Sequence, residues 1–182
     1  MKNLIFLAAC LLMVAVYGQN NLDNVWVAGF YISGAGTADL NFNTNPPQVY
    51  ATNRPINMCT NASICDTLGN LLFYTNAVSI RNSNDQLIEN GANLGSPNYT
   101  DANDANGLPF AQGVMILPYP DHPNWYAVVH ETLSNYPNDV FVHELLLTVV
   151  DMSENEGAGR VISKNIPVFE ATLARDGLTA VR

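Results

Sequence analysis

Short apolar runs rich in aromatic and β-branched residues alternate with polar turn residues along the chain. The run at residues 25–32 ends at the small residues 33–36, and the run at 71–76 follows a Gly-Asn turn. As a strand, the segment 71–76 would place Leu71, Phe73 and Thr75 on one face and Leu72, Tyr74 and Asn76 on the other. Asn and Asp at 82–85 then turn the chain into a return strand at 87–88. This spacing predicts one corner of an antiparallel meander with short turns.

The second half of the chain repeats the pattern in two further hairpins. The strands are predicted at residues 113–118, 125–130 and 140–150, with turns at 119–124 and 154–159 before Val161. Residues 41–55 are predicted as loop or edge, and residues 90–112 as a polar surface excursion. Nothing indicates a long helix after residue 18. Strands at this spacing without intervening helices predict an all-β antiparallel meander, which leaves a sandwich, a barrel or propeller blades as the possible architectures.

The N-terminus has the pattern of a secretory signal. A basic start is followed by an apolar run from Leu4 to Val16 and a small residue at the expected cut, which predicts a signal peptide at 1–18 and a β domain at 19–182. Acylation at Cys10 is the alternative, although the apolar run continues beyond it.

Export would let Cys59 and Cys65 form a disulfide, and two small buried side chains are the alternative.

Composition limits the possible partners. The chain has 182 residues, 48% of them hydrophobic, which is enough for a single domain with a core. Seven Lys and Arg residues against sixteen Asp and Glu residues give a formal net charge of −9. Such a chain repels nucleic acid and anionic lipid head groups. We therefore expect no nucleic-acid partner. Because the N-terminal run has the pattern of a secretory signal and not of a membrane anchor, no integral membrane protein is expected either. No cofactor is indicated.

Four segments taken together resemble a known family. They are ICDTLGNLLFYTN at 64–76, NDQLIENG at 84–91, AQGVMILPYPDHPNWYAVVH at 111–130 and the region from VVDMSENEG at 149 to the last residue. These segments resemble the N-terminal propeller-like region of large secreted bacterial proteins that use the type IX secretion route, and the resemblance covers most of residues 24–182.

The resemblance implies four-stranded blades, secretion or cell-surface placement, and a sorting domain after further β modules. With it, the predicted fold is a meander of incomplete β-propeller-like blades, and a β-sandwich is the alternative. It carries no catalytic residues over to this chain. Ala77 departs from the family, which commonly has Gly at that position. Because the chain ends inside a strand predicted to open at residue 178, we expect a fragment that lacks C-terminal blades.

Candidate chemistry is sparse. The pairs His130-Glu131 and His143-Glu144 lie near the ends of strands predicted to pair, where two imidazoles and a carboxylate would suit zinc. The helical H-E-x-x-H spacing is missing, so solvated strand ends are expected and no catalytic or metal residue is assigned. The loop at 101–107 has oxygen ligands for calcium but not the EF-hand register.

Aromatic residues provide the remaining candidates. Trp125, Tyr126 and Tyr136 would form a platform for a sugar or a protein, or else pack between sheets. The function expected is a non-enzymatic extracellular or cell-surface module for adhesion or for binding an unknown extracellular protein or glycan. A secreted hydrolase of glycans or peptides, with the loop at 91–107 lining its pocket, is one alternative. A structural spacer is the other.

Overall fold

The computed structural model describes residues 21–32, 35–55, 57, 59–138, 141–173 and 177–179. Within these ranges the chain forms ten strands in three antiparallel sheets and one seven-residue helix. The all-β prediction is confirmed. The predicted signal peptide at 1–18, with Cys10, and residues 180–182 of the predicted last strand lie outside the described residues.

The first sheet contains β1 (Val25–Ile32), β2 (Ala35–Asn41) and β3 (Gln48–Thr52) in that order. The sequence pattern predicts β1, and it predicts the region of β3 as loop or edge, which matches an edge strand. It does not predict β2, whose residues Ala, Gly, Asp and Asn have low strand propensity. This segment becomes a strand because both of its edges are paired, to β1 and to β3.

The second sheet contains β4 (Ala62–Cys65), β5 (Leu71–Thr75) and β6 (Ile80–Asn82), with β5 in the centre. The predicted return strand at 87–88 is reduced to a bridge between Arg81 and Leu87. The sequence pattern does not predict β4. Residues 62–65 pair with β5, and Ile64 is buried beneath the sheet.

The third sheet is a four-stranded meander of β7 (Val114–Pro118), β8 (Trp125–Thr132), β9 (Val142–Asp151) and β10 (Arg160–Leu173). Helix α1 (Pro97–Asn103) lies in the stretch predicted to be a surface excursion. That prediction is only partly correct, because the stretch also places Leu94, Tyr99 and Leu108 in the core. Polar residues dominate its composition and mask these three apolar anchors.

The main core lies between the second and third sheets. Its fully buried members include Phe73 and Ile80 from the second sheet and Val128, Val142 and Val150 from the third. Phe73 and Tyr74 point to opposite faces of β5, yet both are fully buried. The central strand is therefore covered on both faces, which explains why it is apolar at consecutive positions.

Side-chain caps build the tight turns of the second sheet. The Asp66 carboxylate accepts hydrogen bonds from the backbone N–H groups of Leu68 and Asn70, each at 2.9 Å, and from Asn70 Nδ2 at 3.0 Å. Partial burial opposes ionisation, but the Asn70 and Leu68 hydrogen bonds outweigh it and lower the pKa of Asp66. This turn directs the chain into β5, so its acid has a structural role.

Asp66→Ala should lower the free energy of unfolding by about 1 kcal/mol, because two backbone N–H groups lose their acceptor. Asp66→Asn should lower the free energy of unfolding by less, since its amide oxygen can still accept these hydrogen bonds. Because the folded-state pKa is lowered, the contribution of Asp66 is present above the unfolded-state pKa and is lost as pH falls through the folded-state value. Urea denaturation measures both effects. Thr67→Ala, at an exposed neighbour, is the control, and an equal loss in both alanine variants would contradict the capping role.

Ala77 has a φ of +66°, in the left-handed region that favours glycine, and it is fully buried. The Asn76 side chain holds this turn, since its Oδ1 accepts from the N–H groups of Val78 and Ser79 at 3.1 and 2.9 Å. The turn therefore keeps a glycine-like backbone with an alanine in it, at the position where the resembling family commonly has Gly.

Candidate functional site

The register of the third sheet separates the two predicted His-Glu pairs. His130 pairs with Leu146 and Thr132 with Glu144, so His130 and Glu144 share one face of the sheet, and Glu131 and His143 the other. The two imidazoles therefore do not face each other. Among the described residues, no group of three or more His, Cys, Asp and Glu side chains is placed to hold a metal ion.

His130 is a core residue. It has no exposed surface, and its Nε2 lies 3.1 Å from Thr148 Oγ1 on the neighbouring strand. Burial lowers the pKa of His130 to about 4, so the ring is neutral at physiological pH. His143 is half-buried on the other face, with Nδ1 3.5 Å from Thr172 Oγ1. These placements give His130 a packing role.

Both predicted disulfide partners are free thiols in this structure. Cys65 is buried in β4, and its Sγ accepts a hydrogen bond from the backbone N–H of Val25 at 3.2 Å. Burial raises the pKa of the Cys65 thiol, which keeps it protonated and unreactive. Cys59 is half-buried outside the strands. Their pairing in an oxidising compartment stays a prediction.

Two of the three predicted binding aromatics pack inward. Tyr126 is buried, with its ring edge-on to Phe73 at a centroid distance of 5.5 Å. Tyr136 is half-buried and lies edge-on to Tyr99 at 5.0 Å. Both rings therefore serve the packing of the core, which leaves Trp125 as the predicted aromatic nearest to a surface site.

Trp125 belongs to a cluster of rings at the β7–β8 turn, which we call the aromatic turn (residues 118–125). The His122 ring stacks on Trp125 at 4.2 Å and an interplanar angle of 12°, and Tyr119 meets both rings edge-on. A surface cleft of about 330 Å³ lies over this turn; its lining residues are Pro118, Tyr119, Asp121, His122 and Pro123.

Hydrogen bonds hold the aromatic turn in place. Trp125 Nε1 donates to Asp151 Oδ2 at 2.6 Å, and Asp151 Oδ1 accepts from the N–H and hydroxyl groups of Ser153 at 2.8 and 2.6 Å. Burial opposes ionisation of Asp151, but the Ser153 and Trp125 hydrogen bonds outweigh it and lower the pKa of Asp151. Tyr119 N–H also donates to the Trp125 carbonyl at 2.9 Å. The rings are thus fixed before any ligand arrives.

Sequence reasoning missed Tyr119 and His122 as members of this cluster. The available signal was the segment PYPDHPNW, in which two rings and three prolines lie between two strands and directly before Trp125. This segment predicts only a turn, because the sequence does not show which way the rings of a turn point.

A second, polar cleft lies between the first and second sheets, and we call it the inter-sheet cleft. It measures about 360 Å³, and Arg54 lies at its base. The Arg54 guanidinium donates to both oxygens of Asp39, at 3.0 and 2.6 Å, and to Asp85 Oδ1. It also lies 4.7 Å from the centre of the Tyr74 ring, whose hydroxyl donates to Asp85 at 2.8 Å. This network joins the two sheets.

Comparisons with protein-family models, with curated proteins and with solved structures find no match for this chain. In the part of the chain that the structure describes, none of the helices has the length and apolar character that a membrane span requires. The geometry of the two clefts therefore provides the observations that bear on function.

Proposed function

We propose that this chain is a non-enzymatic, extracellular or cell-surface module of propeller-like blades that binds a protein partner through the aromatic turn. The observation that carries the proposal is the preformed cluster of Tyr119, His122 and Trp125, in which Tyr119 and His122 line a surface cleft and Trp125 packs against both of them. The resemblance to type IX secretion proteins supports the extracellular placement.

The composition of the cleft favours a protein partner at this turn. Ring carbons and proline rings form most of its wall, and Asp121 contributes a carboxylate. Tyrosine and tryptophan dominate the binding energy of protein interfaces, because they bury large areas at low entropic cost. The nearby Asp121 and Asp151 and the net charge of −9 favour a partner with a basic patch around an apolar centre.

The hydrolase alternative has less support. It would require ionisable groups that converge in one cleft, whereas the register separates His130 from His143 and burial withdraws His130 from solvent. Helix α1 also occupies the middle of the loop that was expected to line such a pocket. The binding module is therefore the function that the geometry supports best.

Tyr119→Ala combined with His122→Ala should weaken partner binding by at least about 30-fold, the equivalent of losing one interface hot spot of about 2 kcal/mol. The measurement is saturable binding of the full chain to an array of extracellular proteins, at low and high salt. Val168→Ala, which truncates an exposed apolar residue far along β10, is the control. Equal binding by the double variant and the control would refute the proposal, and an array without any saturable binder would favour the structural spacer.

A further inference from the structure

We propose that the inter-sheet cleft is a second binding site, and that its ligand is a small neutral saccharide. The cleft is separate from the aromatic turn and does not depend on it. Its volume of about 360 Å³ is near the lower end of the range for small-molecule sites, which begins at about 300 Å³. A ligand of the size of a sugar ring or two fits this space better than an extended chain.

The charges of the cleft exclude anionic ligands. Arg54 is a wall residue, but its side chain is only 7% exposed and its charge is already paired with Asp39 and Asp85. Among the lining residues the charges of Arg54 and Asp39 cancel, and Asp85, the second partner of the guanidinium, adds a negative charge beside the cleft. Phosphate, sulfate and uronate groups are therefore repelled, while uncharged hydroxyl groups are not.

The hydrogen-bonding groups of the cleft are planar and already oriented. Asn43 Nδ2 donates to the Gly69 carbonyl at 2.8 Å, which ties the first sheet to the Asp66 turn across the cleft. Asn43 N–H donates to Asn41 Oδ1, also at 2.8 Å. Each Asp39 oxygen accepts from Arg54 and retains a further lone pair. Amide and carboxylate groups held in this way suit adjacent sugar hydroxyls, at little entropic cost.

Gly69 shows how closely the two walls of the cleft are fitted. Its φ is +84°, and a Cβ built on it would collide with the Asn43 amide. A side chain at this position would displace Asn43 from the wall. The glycine therefore permits the contact that closes this end of the cleft.

The remaining walls supply apolar surface. Tyr50 on β3 is 48% exposed, and its hydroxyl donates to Gln48 on the same face of the strand. Leu71 and Val25 also line the cleft. A pyranose ring has one face of C–H groups, which packs on an aromatic ring, and hydroxyls around its edge. The apolar wall with Tyr50 suits the C–H face of the sugar, and the amide and carboxylate groups suit its hydroxyls.

The test is a titration of the full chain with methyl glycosides of glucose, galactose, mannose and fucose, and with methyl glucuronide. Calorimetry and amide NMR detect binding. We expect saturable binding of at least one neutral glycoside, with shifts at the cleft residues. If the glucoside binds, the glucuronide should bind at least about tenfold more weakly. Absence of binding by all four neutral glycosides, or equal binding of glucoside and glucuronide, would overturn the proposal.

Variants then locate the site. Tyr50→Ala should weaken the affinity for the neutral glycoside by at least about tenfold. Val49→Ala, at the adjacent exposed position on the opposite face of β3, should leave this affinity unchanged. Thermal melting checks that both variants fold. If Tyr50→Ala binds as the wild type does, the assignment fails. The Tyr119 and His122 double variant should keep saccharide binding, so failure of the protein-partner proposal leaves this one testable.

Discussion

Arg54→Met should lower the free energy of unfolding by about 3 kcal/mol, because it leaves the largely buried Asp39 carboxylate without its counter-charge. The Asp39 side chain is 15% exposed and that of Asp85 is 39% exposed, so the larger part of the loss should come from Asp39. Guanidinium denaturation of the full chain measures this effect. The variant also loses the contact of the guanidinium with the Tyr74 ring.

Two further variants separate the charge effect from a loss of packing. Arg160→Met is the matched control, since Arg160 pairs with Glu89 at 3.2 Å where both side chains are 48% exposed, and an exposed pair contributes only about 0–1 kcal/mol. Adding Asp39→Asn to Arg54→Met should recover part of the stability, because it removes the unpaired charge. If Arg54→Met costs no more than Arg160→Met, or if the added asparagine recovers nothing, the buried ion pair is not what joins the first two sheets.

Acidification should destabilise the protein through His130. Its pKa is lowered to about 4 in the folded state, whereas an unfolded histidine titrates near about 6.5. As pH falls below about 6.5, His130 takes up a proton in the unfolded chain but stays neutral in the folded chain, so the free energy of unfolding falls. The loss approaches about 3 kcal/mol once pH reaches about 4, and it is absent above about pH 7.5.

His130→Gln should flatten this part of the pH dependence, even if it lowers stability at neutral pH, because glutamine does not titrate. The measurement is the free energy of unfolding at several pH values between about 7.5 and 4.5. His143→Gln, which removes an imidazole from the opposite face, is the control, and the acids with lowered pKa, Asp66 and Asp151, are common to all three proteins. A His130→Gln curve parallel to that of the wild type would contradict the prediction.

The local pattern predicts some elements well because their signal is carried within a few residues. β1, β5 and β8 are runs of aromatic and β-branched residues bounded by turn residues, and they form at the predicted places. The Asp66 turn is similar, since its cap and its glycine lie within five consecutive positions. Such elements need little help from the rest of the chain.

Other elements depend on partners that are distant in sequence. β2 and β4 lack a strong strand signal and exist because paired neighbours satisfy their backbone groups. The candidate sites likewise depend on residues that are distant in sequence. Asp39, Arg54 and Asp85 are separate loop and strand residues until the first two sheets meet, so sequence alone did not indicate their cluster.

The sequence by itself determined the fold class and the main turns, because strand periodicity and turn chemistry are local properties. Only the tertiary structure decided which side chains face one another. Tyr126 and His130 lie in the core, whereas Trp125 on the same strand lies near the surface. The reason is that alternate residues of a strand point to opposite faces of the sheet. The tertiary structure also placed Arg54 between two acids at the base of a cleft, because long-range packing of the sheets, and not sequence spacing, sets that contact.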